Sequence, residues 1–380
     1  MNRRPVLVGI GRTEYSRNSG RTTLAMAAEA AREALADAGM DSRDVDGFST
    51  FAAGDSTSAV VVAHAIGIDQ LHWNIDLLGG GNYATSIVSN AAMAVEAGAC
   101  EAALVFRSLN GRSGHRFGRA DGELSVGGSR QFTGPHGYLT PPQWIALWAQ
   151  KHQAVYGSTC EDLGQIAITQ RTHAGPNPHA LQREPIDMDD YLAGRWINEP
   201  FRIFDCALEI DGAVAVVVTT EERARDLRQK PIGILGHVEA MGHGGSFDHW
   251  PDYTTMYSHE AAPLLWDRSG VGPDDVDLAC MYDCFTYTVM ATMEDFGFCE
   301  KGQVGAYFSE GRASYGGDVV VNPHGGLISE GYIHGLNHTY EAVLQLRHQA
   351  GDRQVDGAEL ALVTAGAGPV GGAMILTGAS

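Results

Sequence analysis

One pattern of seven residues occurs twice in the chain and constrains the fold more than any other feature. Glu29-Ala30-Ala31, Gly39 and Asp44-Val45-Asp46 recur, 231 positions later, as Glu260-Ala261-Ala262, Gly270 and Asp275-Val276-Asp277. In both copies an Ala-rich or Leu-containing segment with helical spacing ends at a glycine, as helices do when that glycine adopts the left-handed conformation. A short acidic turn then leads into an apolar run. The chain is therefore predicted to contain two similar α/β halves.

Later segments keep the same order in each half. A buried-helix pattern at 91–98 precedes an apolar strand at 102–106, and the pattern at 340–347 precedes the strand at 360–364. Continuous apolar runs at 213–218 and 372–376 close the two halves. Because such strands are typical of sheets covered on both faces, helices must cover them. We predict halves at 1–225 and 226–380 that share a central helical layer.

The first half carries a long insertion. Residues 107–205 lie between two predicted core strands, have no counterpart in the second half, and are rich in Gly, Arg, His, Pro and Trp. A segment of this length between core strands is typical of a functional insertion. It is predicted to form a cap.

Composition excludes several classes of function. The chain has 26 basic and 46 acidic residues and a formal charge of -20, which repels nucleic acid and anionic membranes. No window approaches the roughly 20 apolar residues of a membrane-spanning helix. Six scattered cysteines without a secretion signal favour reduced thiols. A cytoplasmic protein that binds neither nucleic acid nor membrane is predicted.

Two short runs are the best candidates for chemistry. Residues 281–286 read Met-Tyr-Asp-Cys-Phe-Thr, and residues 329–335 read Ser-Glu-Gly-Tyr-Ile-His-Gly. Each places a tyrosine, Tyr282 or Tyr332, in a break between apolar segments, where loops project chemical groups from a scaffold. A tyrosine after an apolar run is more often a packing residue. Two phenols in one pocket, however, would supply an acid and a base.

Several motifs together resemble a known family. They are Asp283-Cys284-Phe285, the Asn-Pro-His-Gly-Gly run at 322–326, the glycine-rich ending at 366–372 and the basic run at 107–118. The chain resembles, over nearly its whole length, the sterol-carrier-protein-type branch of the thiolase superfamily. Within that branch it looks most like the lipid-transfer-protein aldolases that shorten steroid side chains. The resemblance implies a thiolase-like five-layer αβαβα fold built from two duplicated halves.

The chain departs from thiolases at both of their cysteines. A thiolase nucleophile sits at a helix N-terminus, which lowers the pKa of the thiol. In this chain that position is Gly80 or Gly81, and the second cysteine position is Thr364 or Ala365. The resemblance therefore implies that no acyl-enzyme forms.

Both histidine positions of the branch carry tyrosine. The histidine of the Gly-His-Pro motif falls on Tyr332, and that of the His-Asp-Cys-Phe motif falls on Tyr282. The resemblance implies retro-aldol cleavage of a β-hydroxyacyl-CoA, from a steroid side chain, to a ketone and propionyl-CoA or acetyl-CoA. Tyr332 is the preferred candidate to take the alcohol proton and Tyr282 to return one to the enolate carbon. The base requires a phenol pKa lowered by a neighbouring cation, for which His324 or His334 is a candidate.

The remaining predicted contacts follow from the same resemblance. Backbone amides near Gly366 and Gly368 are candidate oxyanion donors, and Asp283, His324 and His334 are candidate oxyanion or acyl-CoA contacts. The basic run contains Arg107, Arg112, Arg116 and Arg119 with His115. The first three arginines are candidate contacts to CoA phosphates or to a partner protein, and pairing of the run with local carboxylates is an equally open alternative.

No cofactor is expected beyond the CoA of the substrate. His334 and His338 have metal-binding spacing, but no third ligand follows, and Gly9-Ile10-Gly11 lacks the third glycine of a dinucleotide motif. The resemblance also implies a homodimer and a small partner protein with an OB-fold and a zinc ribbon. Two alternatives remain open: a non-catalytic acyl-CoA-binding scaffold, and a Claisen-type acyltransferase or thiolase that uses Cys284.

Overall fold

The computed structural model describes residues 3–114, 116–117 and 130–378. The strands are Pro5–Arg12 (β1), Gly47–Ala52 (β2), Trp73–Leu78 (β3), Ala102–Asn110 (β4), Trp196–Asn198 (β5), Phe201–Arg202 (β6), Asp211–Thr220 (β7), Ile232–Met241 (β8), Leu278–Cys280 (β9), Val320–Val321 (β10), Leu360–Ala367 (β11) and Val370–Thr377 (β12). The helices are Thr23–Ala38 (α1), Ala59–Ala65 (α2), Ala84–Glu96 (α3), Arg130–Thr133 (α4), Pro141–Tyr156 (α5), Cys160–Ala174 (α6), Met188–Ala193 (α7), Glu221–Ala224 (α8), Tyr257–Ser269 (α9), Thr286–Asp295 (α10), Val304–Ser309 (α11), Gly326–Ser329 (α12) and Leu336–Leu346 (α13).

The two halves have the same strand order. Within the described residues, ten strands form one sheet in the order β10-β9-β11-β12-β8-β1-β7-β4-β2-β3. In each half two antiparallel pairings near the centre give way to two parallel pairings towards the edge. The halves meet where β1 pairs with β8 through Val6 and Leu7. The duplicated pattern in the sequence is thus repeated in the topology, and the predicted boundary at 225/226 falls between α8 and β8.

Three apolar cores separate the layers. One lies between α1, α2 and one face of the first-half strands; the second surrounds α3 and α13; the third lies between α9, α10 and the second-half strands. On β1, Val6 and Val8 face the first core while Leu7 faces the second, because successive side chains of a strand point to opposite faces. The strands of the two halves, joined by the short β1–β8 pairing, thus form two layers with α3 and α13 between them and helices outside each. This order of helix, sheet, helix, sheet and helix confirms the predicted five-layer fold.

The repeated helices end as the sequence predicts. Thr22 caps the start of α1, because its hydroxyl accepts a hydrogen bond from the amide of Ala25, and Gly39, with φ 75°, caps its end. α9 stops at Gly270 with φ 73°. Both glycines occupy the left-handed region that a side chain disfavours, so each closes its helix and turns the chain towards the next strand.

The insertion begins later than predicted. β4 continues through Arg107 to Asn110, and Arg107 pairs with Val214 of β7. The boundary at 107 was wrong because the buried pattern of this strand includes a charged residue. The described part of the cap contains α5, α6, α7 and the β5–β6 hairpin, and residues such as Trp148 and Ile166 pack into the third core.

Among the described residues, no helix combines the length and the apolar character that crossing a bilayer requires. All six cysteines are free thiols.

Candidate active site

The two tyrosines singled out in the sequence are hydrogen-bonded to each other. Tyr282 follows β9, and Tyr332 lies between α12 and α13. Their hydroxyl oxygens are 2.7 Å apart, and either can be the donor. Tyr282 is 4% exposed, Tyr332 is partly buried, and both line one cleft of about 1190 Å³. The pair can therefore pass a proton from one phenol to the other beside a bound molecule.

A short segment at the end of the cap ties the two tyrosine loops together. The amide of Ala207 donates to the carbonyl of Cys284, and the amide of Tyr332 donates to the carbonyl of Leu208, each at 2.9 Å. The amide of Leu208 donates to the carbonyl of Leu327. The segment that follows the cap thus fixes the distance between the loops, and a phenol pair held in this way is preorganised.

Gly81 provides the space for the hydroxyl of Tyr282. Gly81 starts the turn that precedes α3, and a Cβ atom there would lie 2.0 Å from the Tyr282 hydroxyl oxygen. A side chain at residue 81 and the present position of Tyr282 are mutually exclusive. The phenol hydroxyl therefore lies against Gly81, one of the two positions, Gly80 and Gly81, at which the thiolase resemblance would put a nucleophilic cysteine.

Both phenols are neutral. Burial raises the pKa of Tyr282 well above its ordinary value, and the neighbouring Tyr332 and Cys284 raise it further. Burial also raises the pKa of Tyr332; its hydrogen bond with Tyr282 and the Arg107 cation oppose this without compensating for it. The prediction that a cation lowers the pKa of the base is wrong, because the loss of solvent outweighs the cation.

A neutral pair has a clear pH signature. Since both folded-state pKa values are raised, neither phenol ionises between pH 6.5 and 9, and turnover by the pair is expected to stay level across that interval. A phenolate base would instead make kcat rise about tenfold per pH unit below its pKa. Measurement of kcat in overlapping buffers separates the two, and a rise with unit slope would contradict the neutral pair.

Arg107 is not a phosphate contact. Its side chain is fully buried, and its guanidinium contacts Asp55 at 2.5 Å and Nδ1 of His334 at 2.9 Å. Arg107 belongs to β4 rather than to the cap, and of the alternatives open for the basic run the structure shows it paired with a carboxylate. Sequence reasoning missed Asp55, although its place just after β2 was a signal: β2 and β4 are parallel, so their carboxyl ends share one edge of the sheet.

Asp283 and His324 lie behind the cleft rather than in its wall. The carboxylate of Asp283 is fully buried and accepts hydrogen bonds from the amides of Leu327 and Ile328 at 2.8 and 3.2 Å. His324 is also fully buried, and burial lowers its pKa well below the ordinary value. It is therefore neutral and cannot be the predicted cation. Asp283 instead holds the loop of Tyr282 against α12.

The other predicted contacts divide between the cleft and its border. Arg112, Arg116 and His334 line the cleft, and Arg116 donates to the carboxylate of Glu209 at 2.6 Å. Gly366 and Gly368 flank Ala367, which lines the cleft at the turn between β11 and β12. Two members of the basic run, His115 and Arg119, lie outside the described residues.

His334 and His338 do not share a helix face. His334 precedes α13 with φ 51°, whereas His338 lies within the helix, 3.3 Å from the carboxylate of Asp283. Within residues 3–114, 116–117 and 130–378, no group of three or more His, Cys, Asp and Glu side chains is placed to hold a metal ion.

Cys284 lines the cleft, and the pKa of its thiol is raised. Burial raises the pKa of Cys284, and Asp283 adds to the increase, so the thiolate needed for nucleophilic attack is disfavoured.

We expect Cys284→Ser to keep turnover of the same order as the unchanged chain. Iodoacetamide at neutral pH is expected to inactivate the unchanged chain only slowly. Steady-state assays before and after alkylation measure both. Rapid inactivation that Cys284→Ser prevents, together with loss of activity in that variant, would favour the acyltransferase alternative.

The fold and the cleft define a thiolase-fold protein with a hydrogen-bonded pair of tyrosines in its cleft. The model of the thiolase C-terminal domain-like family matches residues 240–377. Over 97% of its length, the chain is 41% identical to the 17-hydroxy-3-oxo-4-pregnene-20-carboxyl-CoA lyase of Mycobacterium tuberculosis and covers 98% of that protein. It is 38% identical to a steroid side-chain-cleaving aldolase of Thermomonospora curvata, with 97% of each chain covered.

A solved structure described as the Ltp2-ChsH2(DUF35) aldolase superposes with a TM-score of 0.92 and 37% identity, covering 99% of this chain and 98% of the other. The chain belongs to the thiolase superfamily, in the family of the steroid side-chain-cleaving aldolases.

Proposed function

We propose that the chain is an aldolase that cleaves the bond between the α and β carbons of a β-hydroxyacyl-CoA carrying a steroid or similar ring system. The products are a ketone and propionyl-CoA or acetyl-CoA. The observation that carries the proposal is the 2.7 Å bond between two neutral phenols in the cleft. The two curated relatives, a lyase and an aldolase by name, support it.

The phenol pair supplies a complete proton path. Tyr332 accepts the hydroxyl proton of the substrate while its own proton passes to Tyr282. As the carbon–carbon bond breaks, its electron pair forms the thioester enolate, and Tyr282 delivers its proton to the α carbon. The β carbon leaves as a ketone. Each tyrosine ends neutral, so the path needs no ionised phenol. Because the cleavage involves no net oxidation or reduction, the proposed reaction uses no cofactor beyond the CoA of the substrate.

The cleft suits a large apolar group joined to a polyanion. Aromatic side chains of the cap and of the segment after β8 line one part, among them Phe117, Trp144 and Phe247. Arginines line the cleft as well: Arg17, Arg112, Arg116, Arg171 and Arg195. Although the chain has a net charge of -20, these arginines give the cleft local positive charge. This charge would attract the phosphates of CoA, which guanidinium groups bind well.

The proposal includes a partner. The related solved structure combines Ltp2 with ChsH2(DUF35) by its description. We propose that this chain forms a homodimer and binds a small OB-fold, zinc-ribbon protein near the acyl-CoA entrance. The cytoplasmic location predicted from the sequence remains a prediction.

Product analysis tests the proposal. The chain, produced with and without a candidate DUF35 partner, is incubated with 17-hydroxy-3-oxo-4-pregnene-20-carboxyl-CoA, the compound in the relative's name. Equal amounts of the 17-ketone and propionyl-CoA support it. A 3-oxoacyl-CoA with free CoA is the control, since thiolysis there would identify a thiolase. Tight binding without cleavage in the presence of the partner would favour the scaffold alternative.

A further inference from the structure

Arg107 determines which nitrogen of His334 carries a proton. Nε and Nη2 of Arg107 lie 3.2 and 2.9 Å from Nδ1 of His334. Arginine has donors and no acceptor, so Nδ1 must accept and carries no hydrogen. In a neutral imidazole the hydrogen is then on Nε2. A hydrogen on Nδ1 would point at the guanidinium donors and would break both contacts.

The arrangement around Arg107 is rigid. Arg107 is fully buried, the Asp55 side chain is 3% exposed, and the two form an ion pair at 2.5 Å. The His334 ring stacks on Phe51 with centroids 6.2 Å apart. Its backbone adopts φ 51°, a left-handed conformation that non-glycine residues keep only where their surroundings enforce it. The tautomer is therefore imposed by packing and by a buried ion pair.

His334 also faces the reacting groups. Its ring centroid is 4.9 Å from that of Tyr332 and 4.6 Å from that of Phe117, and the residue lines the cleft. A Cβ atom on Gly80 would lie 3.9 Å from Cε1 of His334. The ring thus lies between a phenol of the pair and the turn before α3. Since Nδ1 points to the buried arginine, the ring edge that carries Nε2 is the one remote from Arg107.

We propose that the Asp55–Arg107 pair fixes His334 as the neutral Nε2–H tautomer and that this N–H donates to the thioester oxygen of the substrate. His334 is then a catalytic residue, while Arg107 and Asp55 are positioning residues. As the carbon–carbon bond breaks, negative charge develops on the thioester oxygen, and a preorganised donor stabilises it there; the proton stays on His334. The tautomer follows from the geometry alone, and the donor role rests on the proposed function.

Nitrogen NMR of protein labelled with ¹⁵N-histidine tests the tautomer, because the two ring nitrogens of each tautomer differ in chemical shift. The chain contains its own reference: Nδ1 of His173 lies 2.9 Å from the carbonyl oxygen of Val321 and must therefore carry the hydrogen. Burial lowers the pKa of His173 to about 4, so this ring is neutral at pH 7. His334→Gln and His173→Gln identify the two sets of signals.

At pH 7 we expect His334 to show the Nε2–H pattern and His173 the Nδ1–H pattern. The double variant Arg107→Met, Asp55→Asn removes both buried charges together, so that neither is left without its partner. In this variant the His334 signals should shift towards those of a mixture of tautomers. An Nδ1–H or imidazolium pattern for His334 in the unchanged chain overturns the inference. That measurement needs no variant to fold other than those used for assignment.

Kinetics test the donor role. His334→Leu, which has no donor, is expected to lower kcat by about 100-fold with a much smaller change in KM. His334→Gln keeps an N–H donor and is expected to recover part of that loss. A His334→Leu variant with undiminished kcat overturns the donor role even if the tautomer is as expected. If the unchanged chain cleaves no β-hydroxyacyl-CoA with its partner present, the proposed function fails and the donor role with it, while the NMR result still decides the tautomer.

Discussion

Tyr282→Phe and Tyr332→Phe are each expected to lower turnover by about 100-fold or more without unfolding the chain. Each substitution removes one hydroxyl and so interrupts the 2.7 Å contact through which the proton passes. General acid–base groups commonly contribute about 10²- to 10⁴-fold. Because the two phenols act as one path, the double variant should be little slower than either single variant. Steady-state kcat for the three variants, with thermal unfolding followed by circular dichroism, measures this.

Tyr287 offers a matched control. It is a buried tyrosine on α10 whose hydroxyl donates to the carbonyl of Tyr253, and it does not line the cleft. Tyr287→Phe should cost about 1 kcal/mol of stability and leave turnover nearly unchanged. If either cleft variant retained most of its turnover, or if losses in the double variant multiplied as for independent groups, the shared proton path would be wrong.

The layered fold was predictable because its signals are local. Short segments of sequence are enough to recognise helix-ending glycines, such as Gly39 and Gly270, and continuous apolar strands. The repetition of these patterns predicted the two halves. The pairing of Tyr282 with Tyr332 was expected only as two phenols in one pocket. The contact itself depends on Ala207 and Leu208, which follow the cap and form hydrogen bonds with both loops. No local sequence pattern predicts those hydrogen bonds.

Charge was the weakest part of the sequence-based prediction. Arg107 was interpreted as a contact to CoA phosphates or to a partner protein, or as one member of a local ion pair. Its carboxylate partner in the structure, Asp55, lies 52 positions away in the sequence. The pKa of the phenol that acts as base was expected to fall, whereas burial raises the pKa of both phenols, because desolvation depends on packing that the sequence does not specify. Residue type indicated the chemistry, and burial decided which groups carry charge.

A cysteine at residue 81 is expected to abolish cleavage of the β-hydroxyacyl-CoA without converting the chain into a thiolase. In Gly81→Cys the new Cβ would lie 2.0 Å from the hydroxyl oxygen and 2.6 Å from the Cζ atom of Tyr282, so the phenol must move and its bond to Tyr332 must break. We expect cleavage of the β-hydroxyacyl-CoA to fall by about 100-fold, as for loss of the phenol itself. No thiolase activity should appear, because the thiolase resemblance would put the second cysteine at Thr364 or Ala365, and neither residue is a cysteine.

Two alanine variants separate the steric effect from the thiol. Gly81→Ala adds the same Cβ without sulfur and should lose as much activity as Gly81→Cys. At the neighbouring Gly80 the nearest atom to an added Cβ is 3.7 Å away, which is ordinary contact, so Gly80→Ala should lose far less. Assays of bond cleavage and mass spectrometry of the protein during turnover measure both effects. Full activity in Gly81→Ala would contradict the steric explanation. An acyl group trapped on the new cysteine of Gly81→Cys would also contradict it. Either result would show that the position of the Tyr282 hydroxyl does not prevent this site from acting as a thiolase.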